Sequence, residues 1–239
     1  MPTPRSEIKA ILFDKDGTLI DFDRTWFGIC SELATRSAEG DPKLGRDLLE
    51  AGGYDWRAGR FRSGSIIASG TITDIVALWH PNASPQEKEA LIRSYDDYTV
   101  REAPRRSVGL AGLNATLEYL QANGYILGVA TNDSEAGARA TMDALELSHY
   151  FRTILGFDSV PRAKPYPDML LRFAEEANVA PSQVAMVGDN THDLELARAG
   201  GAGLAIGVLS GNSDEEHLAA LADVILPSMA DLPALFAKK

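Results

Sequence analysis

The sequence predicts an α/β fold, a mostly parallel sheet with helices on both faces, interrupted by an all-helical insert. Three observations carry that expectation. Short apolar runs rich in Ile, Val and Leu recur along the chain; segments of helical period separate most of them; and the alternation stops between Asp21 and about Pro104. With 45% hydrophobic and 24% charged residues over 239 positions, the composition is that of a folded globular protein with a substantial core.

Taken in order, the first apolar run is Ile8 to Phe13, a candidate buried strand that ends in Asp14-Lys15-Asp16-Gly17-Thr18-Leu19. From Asp21 to about Pro104 there is no strand pattern. Helix-like segments there are broken by Gly52-Gly53, by the Ser- and Gly-containing run Arg62 to Gly70, and by His80 to Pro85. Alternation then resumes. Strands are expected at Tyr125 to Ala130, Thr153 to Phe157, Val184 to Val187, Gly203 to Val208 and Val224 to Leu226. Helices are expected at Leu113 to Asn123, Glu135 to Leu147, Met169 to Asn178, Leu194 to Ala199 and Glu215 to Ala222. The domains so defined are a core of residues 1–21 and 104–239 and a helical insert of residues 22–103.

Charge and cysteine usage exclude several function classes. A net charge of -11 with no basic run argues against nucleic-acid binding as the main task. An anionic substrate would need a local cation to overcome that field. Cys30 is the single cysteine, so neither an internal disulfide nor a thiolate metal cluster can form within one chain, which fits a reducing cytoplasm. The apolar run at the N-terminus is too short for a signal peptide and no later stretch approaches a membrane span. A cytoplasmic protein that engages no membrane is expected.

The chemistry-bearing residues stand just after expected strands. In an open parallel sheet, ligands bind beyond the carboxyl ends of the strands, which puts Asp14 and Asp16 at the active edge. Extended backbone places the two on one side, close enough to share a cation, and Gly17 permits the sharp turn that follows. Neighbouring carboxylates raise one another's proton affinity unless a cation or donor compensates, and a metal ion is the economical answer. The alternative is a solvated Asp-Gly turn.

Three further segments follow the same rule. Thr131-Asn132-Asp133-Ser134 offers hydroxyl and amide donors at a helix start, where Asp133 or Ser134 can also serve simply as the cap. Lys164 stands before a Pro-rich turn and can supply the positive charge an acidic protein lacks; a surface lysine is the alternative. Gly188-Asp189-Asn190-Thr191-His192-Asp193 puts Asp189 at a strand end, suited to metal ligation, and Asp193 one helical turn later. For Asp193 both ligation and stabilisation of the helix dipole stand open. Asp168 reads as a helix-start residue, and His80 and His192 as structural or exposed histidines.

In this order and at these strand ends, the four segments resemble the signature motifs of the haloacid dehalogenase superfamily of phosphohydrolases. The match is specific over Ile8 to Asp16, Ile126 to Asn132, Lys164 and Val184 to Asp193. The insert resembles the helical cap of the phosphoglycolate phosphatase and β-phosphoglucomutase branch. The resemblance implies a Rossmann-like core, Asp14 as nucleophile, and Asp16 as general acid and base. It implies Mg2+ held by Asp14, the Asp16 carbonyl and Asp189, with Asp193 as a direct or water-mediated partner. Thr131, the backbone near Asn132, and Lys164 would receive the phosphoryl group. Lys15 is shared with the ion-pumping ATPases, but they carry threonine at the position of Asp16.

A small phosphorylated metabolite is the partner this implies, with 2-phosphoglycolate the single best candidate, acted on by a monomer or homodimer. Arg60 and Arg62, with Ser63 and Ser65, are the compact basic and hydroxyl cluster of the insert; they suit a substrate carboxylate or sugar hydroxyl, or lie solvated on a loop. Two other functions remain open at this level. One is a phosphosugar mutase, and the other a non-catalytic metabolite-binding protein on the same fold.

Overall fold

A computed structural model describes residues 7–237, so the outermost residues assigned to the core, 1–6 and 238–239, lie outside the described residues. The chain begins with β1 (Ala10–Phe13) and enters the insert: α1 (Phe22–Ser37), α2 (Pro42–Gly52), β2 (Tyr54–Asp55), β3 (Arg60–Phe61), α3 (Ile66–Ser69), α4 (Ile72–Trp79) and α5 (Pro85–Arg106). It returns through α6 (Leu113–Ala122), β4 (Ile126–Ala130), α7 (Glu135–Ala144), β5 (Phe151–Leu155), α8 (Asp168–Ala177) and β6 (Val184–Gly188). It ends with α9 (Thr191–Gly200), β7 (Leu204–Val208), α10 (Glu215–Ala219), β8 (Val224–Leu226) and α11 (Leu232–Phe236).

The core strands form one sheet in the order β5-β4-β1-β6-β7-β8, every pair parallel. All four residues of β1 are buried, as a strand covered on both faces requires. Alternation sends Ile11 and Phe13 into one apolar layer with Leu117 of α6, Met142 of α7 and Leu232 of α11. Ala10 and Leu12 face the other, with Leu170 and Phe173 of α8 and Leu194 of α9. The chain leaves β1 towards β4 and β5, then crosses back to β6 on the opposite side. The sheet therefore reverses direction at β1, and the carboxyl ends of β1, β4 and β6 frame the crevice where such sheets bind ligands.

In the insert, the all-helical expectation needs correction. β2 and β3 pair antiparallel, Tyr54 with Phe61 and Asp55 with Arg60. Asp55 Oδ1 accepts from the N–H groups of Arg57 and Ala58 at 2.8 and 2.9 Å, and Gly59 takes φ +70° to close the turn. Two-residue strands are too short to leave an alternating pattern in the sequence. The rest of the insert is helical around its own apolar cluster, which includes Ile29, Leu33, Phe61, Val76 and Trp79.

The two links between insert and core run side by side. Asp21 N–H donates to the Val108 carbonyl and Leu110 N–H to the Leu19 carbonyl, each at 2.9 Å. Helix α5 continues through Pro104 to Arg106; a proline in the last turn removes one N–H without blocking the rest of the helix. No helix among the described residues is long and apolar enough to cross a membrane.

Candidate active site

At the carboxyl end of β1, the Asp14 N–H donates to the Val187 carbonyl at 2.8 Å, which locks the start of the motif to β6. Gly17 takes φ +84°, and its N–H returns to the Ile20 carbonyl at 2.7 Å. A Cβ on Gly17 would lie 2.7 Å from the Asp189 carboxyl group, so this turn needs glycine for both conformation and space. Thr18 Oγ1 points at Asp189 Oδ1 from 3.4 Å. The first and last motifs thus meet across the β1–β6 pair.

The loop after β4 brings up the second motif. Thr131 is buried; its N–H bonds the Leu155 carbonyl and its hydroxyl accepts from Asp133 N–H at 3.1 Å. Ser134 caps α7, accepting from Gly137 N–H, which settles the choice between Asp133 and Ser134. Asp133 instead faces Lys15. The Lys15 ammonium lies 3.1 Å from Asp133 Oδ2 and 2.7 Å from Asp16 Oδ2, with no exposed surface. Trp26 Nε1 donates to the other oxygen of Asp16.

Lys164 reaches the centre of the site. Its Nζ donates to Asp14 Oδ1 at 2.5 Å and to Asp193 Oδ1 at 2.7 Å. Asn132 fixes that lysine from behind: its Oδ1 accepts from Lys164 N–H at 3.1 Å, and its Nδ2 donates to the carbonyls of Lys164 and Ser69. Asp193 is the third residue of α9 and its Oδ2 accepts from Asn190 N–H at 3.0 Å, so it caps the helix with one oxygen while the other meets Lys164. Asp189 Oδ2 accepts from Asn212 N–H at 3.0 Å.

Electrostatics follow from crowding in a buried place. Burial, opposed by Lys164 and aided by Asp193 and Asp16, pushes the Asp14 carboxyl up to about 7. Asp189 is also raised, by burial first and then by Asp14 and Asp193. Burial favours loss of the proton from Lys164, yet Asp14 and Asp193 outweigh it and hold the ammonium above the ordinary lysine value. Asp16 and Asp133 do the same for Lys15. Asp14, Asp189 and Asp193 present oxygens that all lie within 4.8 Å of one another. Such a set of close, buried carboxylates fits a hard divalent cation, which would supply the charge they lack.

Comparison with known proteins agrees with this geometry. A family model described as haloacid dehalogenase-like hydrolase matches residues 8–201. The chain belongs to that family. It is 30% identical to the phosphoglycolate phosphatase of Escherichia coli strain K12 over 96% of this chain and 93% of that protein. It is 33% identical to a protein of Dickeya dadantii named "Probable phosphatase IndB", over 93% of this chain and 90% of that one. In fold it is similar to a solved "predicted phosphoglycolate phosphatase" from Haemophilus somnus, with a TM-score of 0.72 at 21% identity, covering 97% and 99% of the two chains. This haloacid dehalogenase-like hydrolase is a phosphatase.

Of the residues singled out in the sequence, the fold brings Asp14, Asp16, Thr131, Asn132, Lys164, Asp189 and Asp193 to one cleft. Arg60 and Arg62 it does not. Arg60 Nη2 donates to the Asn212 carbonyl and Arg62 Nη2 to the Glu50 carbonyl, and neither lines the cleft. Sequence reasoning passed over Lys15, Asp133, Trp26 and Asn212 as parts of the site. Lys15 carried a signal in its place between two motif aspartates, and Asp133 stands within the second motif, where it read as a possible cap; Trp26 and Asn212 are joined to the site only through space.

Proposed function

We propose that this phosphatase hydrolyses small phosphate monoesters through an aspartyl-phosphate on Asp14, with Mg2+ as its cofactor. The observation that carries the reading is the convergence of Lys164 on Asp14 and Asp193 at the carboxyl end of β1, with Asp16 two residues on. Asp14 Oδ attacks phosphorus as the bond to the ester oxygen breaks, and Asp16 gives that oxygen a proton, releasing an alcohol. Water then attacks the same phosphorus, Asp16 takes the water's proton, and the Asp14 carboxylate leaves. The sum is one ester and one water converted to one alcohol and one phosphate.

Lys164, Thr131 and the N–H groups beside Asn132 would meet the phosphoryl oxygens and stabilise their charge. Asp14, Asp189, the Asp16 carbonyl and Asp193 would hold the cation, which when bound adds positive charge against the phosphoryl oxygens. Trp26 and Lys15 orient Asp16 by fixing both of its oxygens. The insert would act as a cap that keeps bulk water from Asp14 during attack.

Phosphate release from p-nitrophenyl phosphate tests the reading. Turnover should require magnesium, vanish in Asp14→Asn, and be inhibited by vanadate or beryllium fluoride. Turnover that survives in Asp14→Asn would refute covalent attack. A requirement for glucose 1,6-bisphosphate, with no free phosphate formed, would make the enzyme a mutase instead. 2-Phosphoglycolate, expected from the family resemblance, belongs in the same screen.

A further inference from the structure

The cleft above Asp14 has two chemically different ends. Its floor holds the charged groups around Asp14 and Lys164. Its opposite wall is apolar, formed by Phe22, Trp26, Ile67, Ile72 and Ile75 of the insert together with Phe157 of the core. Several polar groups between the two are already engaged. Ser69 Oγ donates to the Ser65 carbonyl and Thr99 Oγ1 to the Asp96 carbonyl, both at 2.9 Å. The Ser69 carbonyl accepts from Asn132 Nδ2 and from His192 Nδ1, which leaves Nε2 of a neutral His192 ring as an acceptor. Trp26 Nε1 is spent on Asp16.

Charge points the same way. Among the described residues, Lys164 is the one lysine or arginine that lines the cleft, and it is held at the floor by two carboxylates. Asp14, Asp16, Asp133, Asp189 and Asp193 line the same cleft, while Arg60 and Arg62 are turned to backbone carbonyls elsewhere. A substrate carboxylate would enter this field with no lysine or arginine free to meet it. A sugar would set its hydroxyls against the apolar side chains of this wall, and each polar group stranded there costs roughly tenfold to a hundredfold in binding. Each methylene set against the wall gains roughly fourfold.

We propose that the ester this site takes is a phosphate monoester of an uncharged, largely apolar alcohol, a proposal that rests on the hydrolase reading above. The phosphoryl group occupies the floor, and the alkyl or aryl part of the alcohol lies against Phe22, Trp26, Ile72 and Ile75. This shifts the expected substrate away from 2-phosphoglycolate, whose second anionic group finds no partner here.

Benzyl phosphate and 2-phosphoglycolate are both esters of primary alcohols and differ in the group presented to the wall, so their kcat/KM values with magnesium decide the matter. Benzyl phosphate should be favoured by about 30-fold or more, and glucose 6-phosphate should fall with 2-phosphoglycolate. Equal values, or a preference for either polar ester, would overturn the proposal. Binding to Asp14→Asn, measured by calorimetry, separates the two readings. If no ester is turned over, the hydrolase reading fails, yet tighter binding of benzyl phosphate still supports the apolar wall and the absence of any such preference refutes it.

Discussion

Replacing Lys15 by methionine removes a fully buried ammonium and keeps the length of the chain. Lys15 meets Asp16 at 2.7 Å and Asp133 at 3.1 Å, and its Nζ lies 5.2 Å from the centre of the Trp26 ring. Asp133 is itself enclosed, and burial already raises its proton affinity against the pull of Lys15. Without the lysine, two carboxylates face each other in a buried place with no cation. Breaking a buried pair from one side costs on the order of 3 to 5 kcal/mol. For a chain of this size that is a fall in Tm of roughly 6 to 20 °C, readable in a thermal melt. The double variant Lys15→Met/Asp133→Asn should recover much of that loss, because it removes one stranded charge along with its partner. Turnover should stay depressed in both, since Asp16 loses the contact that fixes its second oxygen. A fall in Tm below about 3 °C for Lys15→Met, or no recovery in the double variant, would refute the account of Lys15 as the buried cation joining the two motifs.

Three other outcomes follow from the same site. In metal-free protein, Asp14 holds its proton up to about 7, whereas an unfolded chain releases it near the ordinary value of 3.8. Folded protein therefore binds more protons across that interval, and its stability should fall as pH rises from 4 towards 7; the rise in Tm on adding magnesium should be larger at pH 8 than at pH 5.5, and an equal rise would contradict the assignment. Burial, with Asp16 adding to it, pushes the Cys30 thiol up to about 12, so native protein at pH 8 should resist iodoacetamide that alkylates the denatured chain quickly; equal rates would show an open cleft. A Cβ on Gly211 would stand 1.9 Å from Asp189 Oδ2, so Gly211→Ala should raise the magnesium concentration needed for half-maximal turnover at least about tenfold in a protein that still folds, and an unchanged requirement would remove Asp189 from the cation site.

Much of this architecture was legible in the sequence because buried parallel strands write themselves as continuous apolar runs. β1, β4, β6, β7 and β8 fall on the expected runs within two residues at each end. β5 lies at Phe151–Leu155 rather than Thr153 to Phe157, since Gly156 already belongs to the loop, where a Cβ would strike the Glu135 backbone nitrogen. Motif residues were legible for a related reason, as each stands directly after a strand and the sheet edge collects them. What stayed hidden depends on direction and distance in space. Arg60 and Arg62 form a conspicuous basic cluster, but composition cannot tell that Arg60 turns to the Asn212 carbonyl and Arg62 to the end of α2. Asn212 lies in a loop with no periodic signal, and its N–H on Asp189 can be seen only in the fold.

The distribution of the two buried lysines indicates where a cation has the strongest claim. Lys164 is shared by Asp14 and Asp193, and Lys15 by Asp16 and Asp133, so four of the five carboxylates lining the cleft have an ammonium beside them. Asp189 has none. Its oxygens receive only the Asn212 N–H and the Thr18 hydroxyl, neutral donors that cannot offset a buried charge in full. Gly17 and Gly211 bring backbone so close that no side chain could be inserted to supply the missing charge. The chain thus gives Asp189 only neutral hydrogen-bond donors while pairing every neighbouring carboxylate with a lysine. In a molecule of net charge -11, a carboxylate left in that condition next to Asp14, the proposed nucleophile, is best explained as the anchor of the proposed Mg2+.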